Sequence, residues 1–134
     1  MSENYKILGD NKELIRKLYE YAKECLQFEE DAKIAFLDSK KNSANPLGKT
    51  AYYDPALKKV SVYVTGRHIK DVMRSLAHEL VHHAQNCRGD LTSANQATEG
   101  YAQNNQHLRE LEEEAYLVGN MIFRDWTDQK ANKQ

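Results

Sequence analysis

The 134-residue chain has little of what several protein classes need. Its two cysteines, Cys25 and Cys87, are too few for a disulfide framework and too isolated for a Cys-x-x-Cys metal site. No run approaches the roughly 18 apolar residues that cross a bilayer, and the opening Met1–Lys6 lacks the basic and apolar regions of a secretory leader. Neither sign of charge dominates. Nineteen Lys plus Arg against 20 Asp plus Glu leave a net charge of −1, which argues against a basic nucleic-acid surface. No repeat or long linker divides the chain. These absences exclude membrane, secreted disulfide-rich and fibrous classes. What is present, 40% hydrophobic residues with eight Tyr, three Phe and one Trp, suffices for a globular core. The expectation is one soluble cytoplasmic domain over residues 1–134, with a core at about 11–126, a polar tail at 127–134, and no nucleic-acid or membrane partner.

Hydrophobic spacing predicts the elements. Leu14, Ile15, Leu18, Tyr21, Ala22, Cys25 and Leu26 recur at helical intervals between Asn11 and about Phe28, with Asp10 or Asn11 placed to cap. Cys25 thereby reads as a core thiol, and a reducing compartment disfavours its pairing with Cys87. Ala32–Leu37 and Thr50–Tyr53 read as strands separated by a polar loop, and Asp54-Pro55 as a turn. In residues 59–65, Val60, Val62 and Val64 alternate with Ser61, Tyr63 and Thr65, the pattern of a half-buried strand closed by Gly66. Together these predict a small three-stranded antiparallel sheet. A second helix is expected over about Ile69–Asn86, with Met73, Leu76, Ala77, Leu80 and Ala84 as its apolar stripe. Residues 95–126 read as helical again, with an interruption near Glu99-Gly100 and a periodic face of Leu108, Leu111, Ala115, Val118, Gly119, Ile122 and Trp126.

The second helix carries His78-Glu79-Leu80-Val81-His82, an H-E-x-x-H. Residues four apart on a helix differ by only about 40° in azimuth, so both imidazoles stand on one face, a turn apart, and can share one tetrahedral zinc. Glu79 on the adjoining face is placed to take a proton from a water that such an ion activates. By composition alone the motif would arise in about 2% of such chains. A catalytic zinc needs a third protein ligand, and the candidates are His83, Glu99, His107, Glu110, Glu112, Glu113 and Glu114. His83 is rotated about 100° from His82 and reads as solvent-facing or as a partner of a ligand. In the acidic cluster Glu112 lies nearest the apolar face, about 60° from its centre. Glu110, Glu113 and Glu114 lie further round and read as a solvated surface. Ala115 and Gly119 beside Glu112 are small enough to let two helices approach closely.

The arrangement of His78-Glu79-x-x-His82 followed by Glu112-Glu113-Glu114-Ala115 resembles the H-E-x-x-H…E-x-x-A pattern of the gluzincin metallopeptidases. The order of helix, small sheet, metal helix and glutamate helix is similar to the smallest members, the minigluzincins and the ImmA/IrrE-type peptidase domains, over about residues 11–126. The resemblance implies a minimal zincin-like α+β fold. It implies one zinc per chain held by His78, His82 and Glu112, with Glu79 as general base and acid. It also implies that residues 60–65 form the cleft-rim strand, along which an extended peptide or protein substrate pairs. Many gluzincins carry Asp or Asn four residues after the glutamate ligand; Tyr116 stands there in this chain, a candidate partner for a ligand histidine and a candidate oxyanion stabiliser, beside Tyr101, His107 and Arg109. A SprT-like site would use His107 as third ligand, but the DNA-directed basic features and zinc ribbon of that family are missing. Small proteins of this kind occur in bacteriophages, which would place the chain in a host cytoplasm or a virion. The expected function is a zinc-dependent peptidase. The alternatives are a zinc-holding structural or adaptor protein of the same fold and a zinc-independent module with a chance motif.

Overall fold

A computed structural model describes residues 2–3, 5–39, 50–89 and 106–132. Short 3-10 turns over Tyr5–Asn11 lead into α1, Lys12–Leu26, in which Ile15, Leu18, Tyr19 and Ala22 are buried. Asn11 occupies the N-cap position but makes no side-chain capping bond there. The helix ends where Gln27 takes left-handed backbone (φ 60°) and returns its N–H to the Lys23 carbonyl. Cys25, expected in the core, is exposed. The buried stripe runs through positions 15, 18, 19 and 22, which leaves Cys25 and Tyr21 at its edge.

Among the described residues the sheet has four strands, β1 (Ser2–Glu3), β2 (Lys33–Leu37), β3 (Ala51–Asp54) and β4 (Lys59–Tyr63), in the order β1-β2-β4-β3. It is mixed rather than antiparallel: β2 runs parallel to both β1 and β4, and only the β3–β4 hairpin is antiparallel. The hairpin announces itself locally, because Asp54 Oδ1 accepts the N–H groups of Ala56 and Leu57 to form its turn. A parallel pair is joined by a crossover and leaves no such local mark. Ile34, Ala35, Phe36, Val60, Ser61 and Val62 are all buried, as in strands covered on both faces. β4 therefore lies inside the sheet, with β2 on one side and β3 on the other. A peptide paired along residues 60–65 would have no free edge there; the edge strand on that side is β3.

Gly66 (φ 72°) turns the chain out of β4. His68 then caps α2, Ile69–Cys87, its Nδ1 accepting the Lys70 N–H at 3.1 Å. Arg67 straps this junction, its two terminal nitrogens donating to the carbonyls of Thr50, Tyr63 and Asp71 and to Ser75 Oγ at 2.7–3.1 Å. The expected stripe of Met73, Leu76, Ala77, Leu80 and Ala84 is buried. So are Val72, Val81, Glu79, His83 and Gln85, because α2 packs against α1, β3, β4 and the last helix at once.

That last helix, α3, runs Gln106–Asn132, so residues 127–132 continue a helix where a polar tail is expected. Thr127 is accommodated by donating its hydroxyl to the Phe123 carbonyl at 2.8 Å. Leu111, Ala115, Ile122 and Phe123 are buried. At Gly119 the two helices nearly touch, since a Cβ there would stand 2.9 Å from His78 Cα. The expected close approach is real, and it falls at the first residue of the motif. The architecture is α+β. The expected interruption near Glu99-Gly100 and most of the loop before β3 lie outside the described residues. Among those described, no helix is long and apolar enough to cross a membrane.

Candidate metal centre

α2 and α3 bring three potential ligand atoms together, Glu112 lying 34 and 30 positions beyond the two histidines. Glu112 Oε1 lies 3.1 Å from His78 Nε2 and 3.3 Å from His82 Nε2. All three atoms fall within 4.8 Å of one another, and among the described residues no other His, Cys, Asp or Glu joins them. Glu112 reaches the histidines from the rim of the helix seam; with its side chain 65% exposed, it is less inward than its helical position suggests. His107 is exposed on the first turn of α3 and stays outside the group. Glu110 accepts from Gln106 and, like Glu113, faces solvent as expected.

His82 is held by a residue that helical bookkeeping of the candidates passes over. Its Nδ1 lies 2.8 Å from Gln85 Oε1. The Gln85 amide nitrogen donates to the Leu111 carbonyl at 2.9 Å and to Glu114 Oε1 at 2.8 Å. Both of those partners are acceptors only, so the amide cannot be flipped, and its oxygen must face His82. Nδ1 therefore carries the proton, and a neutral His82 presents a bare lone pair on Nε2. Glu114, which reads as a solvated residue, is half-buried between Gln85 and Arg88, whose Nη2 donates to it at 2.8 Å. Its carboxyl lies below its ordinary range because Gln85 and Arg88 hydrogen-bond the charged form. Glu112 and Glu114 flank opposite sides of the buried stripe of α3, so each meets a different part of α2.

In this cluster the Glu112 carboxylate faces two imidazole nitrogens, a contact that either a proton or a metal ion can satisfy. A bare imidazole nitrogen and a carboxylate oxygen at 3.3 Å are two acceptors facing each other, stable only with a shared proton or metal ion between them. Burial pulls the His82 pKa down, but the hydrogen bonds that the charged ring donates to Glu112 and Gln85 and the charges of Glu112 and Glu79 outweigh it, and the net direction is up. Glu112 is held well below the carboxylate range by its contacts to His78 and His82, against the opposing effect of burial. The donor set also fits zinc. With Zn–N of about 2.0–2.1 Å and Zn–O of about 2.0–2.2 Å, neighbouring ligands at a tetrahedral angle stand about 3.4 Å apart. The two separations to Glu112, 3.1 and 3.3 Å, lie near that edge, and all three atoms fall within 4.8 Å of one another.

Glu79 is buried beside the triad, at 9% exposure, and no described residue hydrogen-bonds to it. Desolvation raises its pKa; the imidazoles of His82 and His78 oppose the shift and Glu112 adds to it. Tyr116, one turn beyond Glu112, is 63% exposed and makes no hydrogen bond among the described residues. It lines a groove of about 820 Å³ that continues the seam past Arg74, Asn120 and Phe123. Thus His78, His82 and Glu112 come together with Glu79 alongside, and the Tyr116 hydroxyl is not drawn into that cluster. Arg109 is exposed and donates to Gln106; Glu99 and Tyr101 lie outside the described residues.

His83 departs from its expected surface role. It is fully buried, with Nε2 donating to the Glu30 carbonyl at 2.6 Å and Nδ1 accepting from the Tyr53 hydroxyl at 2.8 Å. Asn86 in turn donates to the Tyr53 oxygen at 3.0 Å. Burial lowers the His83 pKa and keeps the ring neutral. No protein-family model, curated protein or solved structure matches the chain.

Proposed function

We propose that the chain is a zinc-dependent peptidase of the minimal zincin type, with one zinc per chain held by His78 Nε2, His82 Nε2 and Glu112 Oε1. The observation that carries this reading is the convergence of those three atoms within 4.8 Å of one another, Glu112 Oε1 standing 3.1 and 3.3 Å from the two imidazoles, with a buried carboxylate beside them. Zinc bound there would supply Lewis acidity towards a scissile carbonyl and bring the pKa of water down towards about 7. Glu79 takes the proton from the attacking water and hands it to the leaving amine. Its buried setting suits the task, because a carboxyl raised above its ordinary value is closer to the operating pH of a general base. An extended substrate would pair with β3, the sheet edge, in place of the interior β4. A cytoplasmic setting belongs to the same reading, since Cys25 and Cys87 are exposed and unpaired thiols.

One observation favours a zinc-holding adaptor instead: Tyr116 faces the groove and makes no bond that would aim it at an oxyanion. Elemental analysis of the purified protein should find one zinc per chain. A strong chelator should lower Tm by several degrees, since a ligand at a thousandfold excess over Kd stabilises by about 4 kcal/mol. In a peptide-library screen, Glu79→Gln should keep zinc and fold and lose hydrolysis by at least about a hundredfold. Zinc binding without cleavage in the wild type would leave the adaptor. Absence of both zinc and a chelator effect would remove the metal site altogether.

A further inference from the structure

We infer that Gln85 is the positioning residue of the three-ligand site: it fixes the His82 proton on Nδ1 and docks the turn of α3 that carries Glu112. What the site is for rests on the zinc reading above; the contacts themselves stand without it. Gln85 is fully buried, on a helix whose other buried positions are mostly apolar. A buried amide is costly unless its donors and acceptor are all met. Here they are met by three different residues, and each bond has a structural consequence.

The oxygen accepts from His82 Nδ1 at 2.8 Å and so leaves Nε2, the atom facing Glu112, without a proton. The nitrogen donates to the Leu111 carbonyl and to Glu114 Oε1. Positions 111 and 114 bracket Glu112. One side chain therefore sets which nitrogen of His82 is offered and, through the rotation of α3, where the third ligand stands. Arg88 closes the chain from the far side by holding Glu114 at 2.8 Å. Groups that orient a metal-binding imidazole through its second nitrogen typically change metal affinity by about 10- to 100-fold. Gln85 does this from the same helix as the histidine it orients, whereas the position four residues after Glu112 is taken by the groove-facing Tyr116.

The test uses the full chain and two readouts. In metal-free protein at a pH where the imidazoles are neutral, nitrogen-15 NMR of the His82 ring should show the proton on Nδ1. Gln85→Leu should move it wholly or partly to Nε2 and weaken zinc binding by about 10- to 100-fold in a chelator-competition titration. Ile122→Ala loosens the same helix pair away from the site; it should lower Tm while leaving the His82 proton on Nδ1, which separates positioning from general stability. Glu114→Ala, at a half-exposed position, frees one anchor of the amide and should weaken zinc several-fold. An unmoved proton in Gln85→Leu, or zinc affinity in Glu114→Ala equal to wild type, overturns the inference. A wild-type chain that binds no zinc but shows the expected tautomer keeps the positioning role and removes the metal reading.

Discussion

His82 and His83 are neighbours in sequence and opposites in use. A step of about 100° on α2 carries one imidazole to the seam with α3 and the other into the core. Both have one ring nitrogen committed to a fixed oxygen, His82 to Gln85 and His83 to the Glu30 carbonyl. The second nitrogen makes the difference. On His83 it receives the Tyr53 hydroxyl, and the ring is further enclosed by an edge-on contact with Phe28 at 4.7 Å. On His82 it faces the Glu112 carboxylate at 3.3 Å. A histidine with both nitrogens satisfied by neutral groups of the core is a structural part, whereas one with a nitrogen aimed at a carboxylate on the helix seam has the arrangement that the proposed metal site would use.

Exchanging each histidine for alanine should separate the two roles, and this is where the largest effects are expected. His82→Ala removes a ligand and should weaken zinc binding by more than about a hundredfold, beyond what the loss of an orienting group alone produces. Its Tm in the absence of metal should fall less than that of His83→Ala. His83→Ala leaves the Glu30 carbonyl without its donor and opens a cavity beside Phe28, a loss of about 3 kcal/mol or more. Zinc affinity measured below the melting transition should stay within a few-fold of wild type. If the two variants lose metal and stability in equal measure, the contrast between the faces of α2 is wrong.

That contrast also marks how far the sequence could be read. Period and spacing report which residues share a face of one element, and so the second helix, the shared face of His78 and His82, and the small residues at 115 and 119 were legible. What meets a face is not encoded in its own period. Tyr53, one residue before the Asp54 turn, carries no sign that its hydroxyl closes on His83, and Gln85 looks like one more polar residue near a helix end. A signal for Gln85 did exist: it lies one turn after His82 and so can reach the imidazole beside it, but its value depends on α3 supplying two acceptors. The same limit explains the parallel β2–β4 pairing and the partial burial of Glu114, which are set by partners distant in the chain.

Gly119 sharpens the comparison at intermediate cost, because it governs the seam and leaves the core face alone. Alanine is ordinarily the better helix former, by about 1 kcal/mol. Here its Cβ would stand 2.9 Å from His78 Cα and 3.1 Å from His78 N, backbone atoms that cannot swing aside. Gly119→Ala should therefore separate α3 from α2, destabilise by about 1–3 kcal/mol as overpacked sites do, and weaken zinc binding through displacement of Glu112. Thermal melts with and without zinc measure both effects. A variant more stable than wild type would show that the helices part easily and that their close approach is not what aligns the ligands.

The smallest expected effect tests the support of the locked face. The segment that presents the Glu30 carbonyl to His83 is tied to α1 through Asp31, whose Oδ1 accepts from the Tyr19 hydroxyl at 2.7 Å and from Lys23 Nζ at 2.9 Å. Tyr19 is buried, and its oxygen also receives the Ala32 N–H at 3.1 Å. The Lys23 bond and then the Tyr19 bond hold the Asp31 carboxyl below its ordinary value of 3.8. The unfolded chain consequently takes up this proton at higher pH than the folded one. The stabilisation is fully present above about 3.8 and is lost as pH falls through the lower folded value. Asp31 is largely exposed, so solvent screening keeps the contribution to about 0–1 kcal/mol. Asp31→Asn should accordingly lower Tm slightly at neutral pH, flatten the loss of Tm on acidification below about 3.8, and leave zinc affinity at neutral pH unchanged. A change in zinc affinity would mean that the two faces of α2 are mechanically coupled, and that His83 is part of the site's alignment as well as of its scaffold.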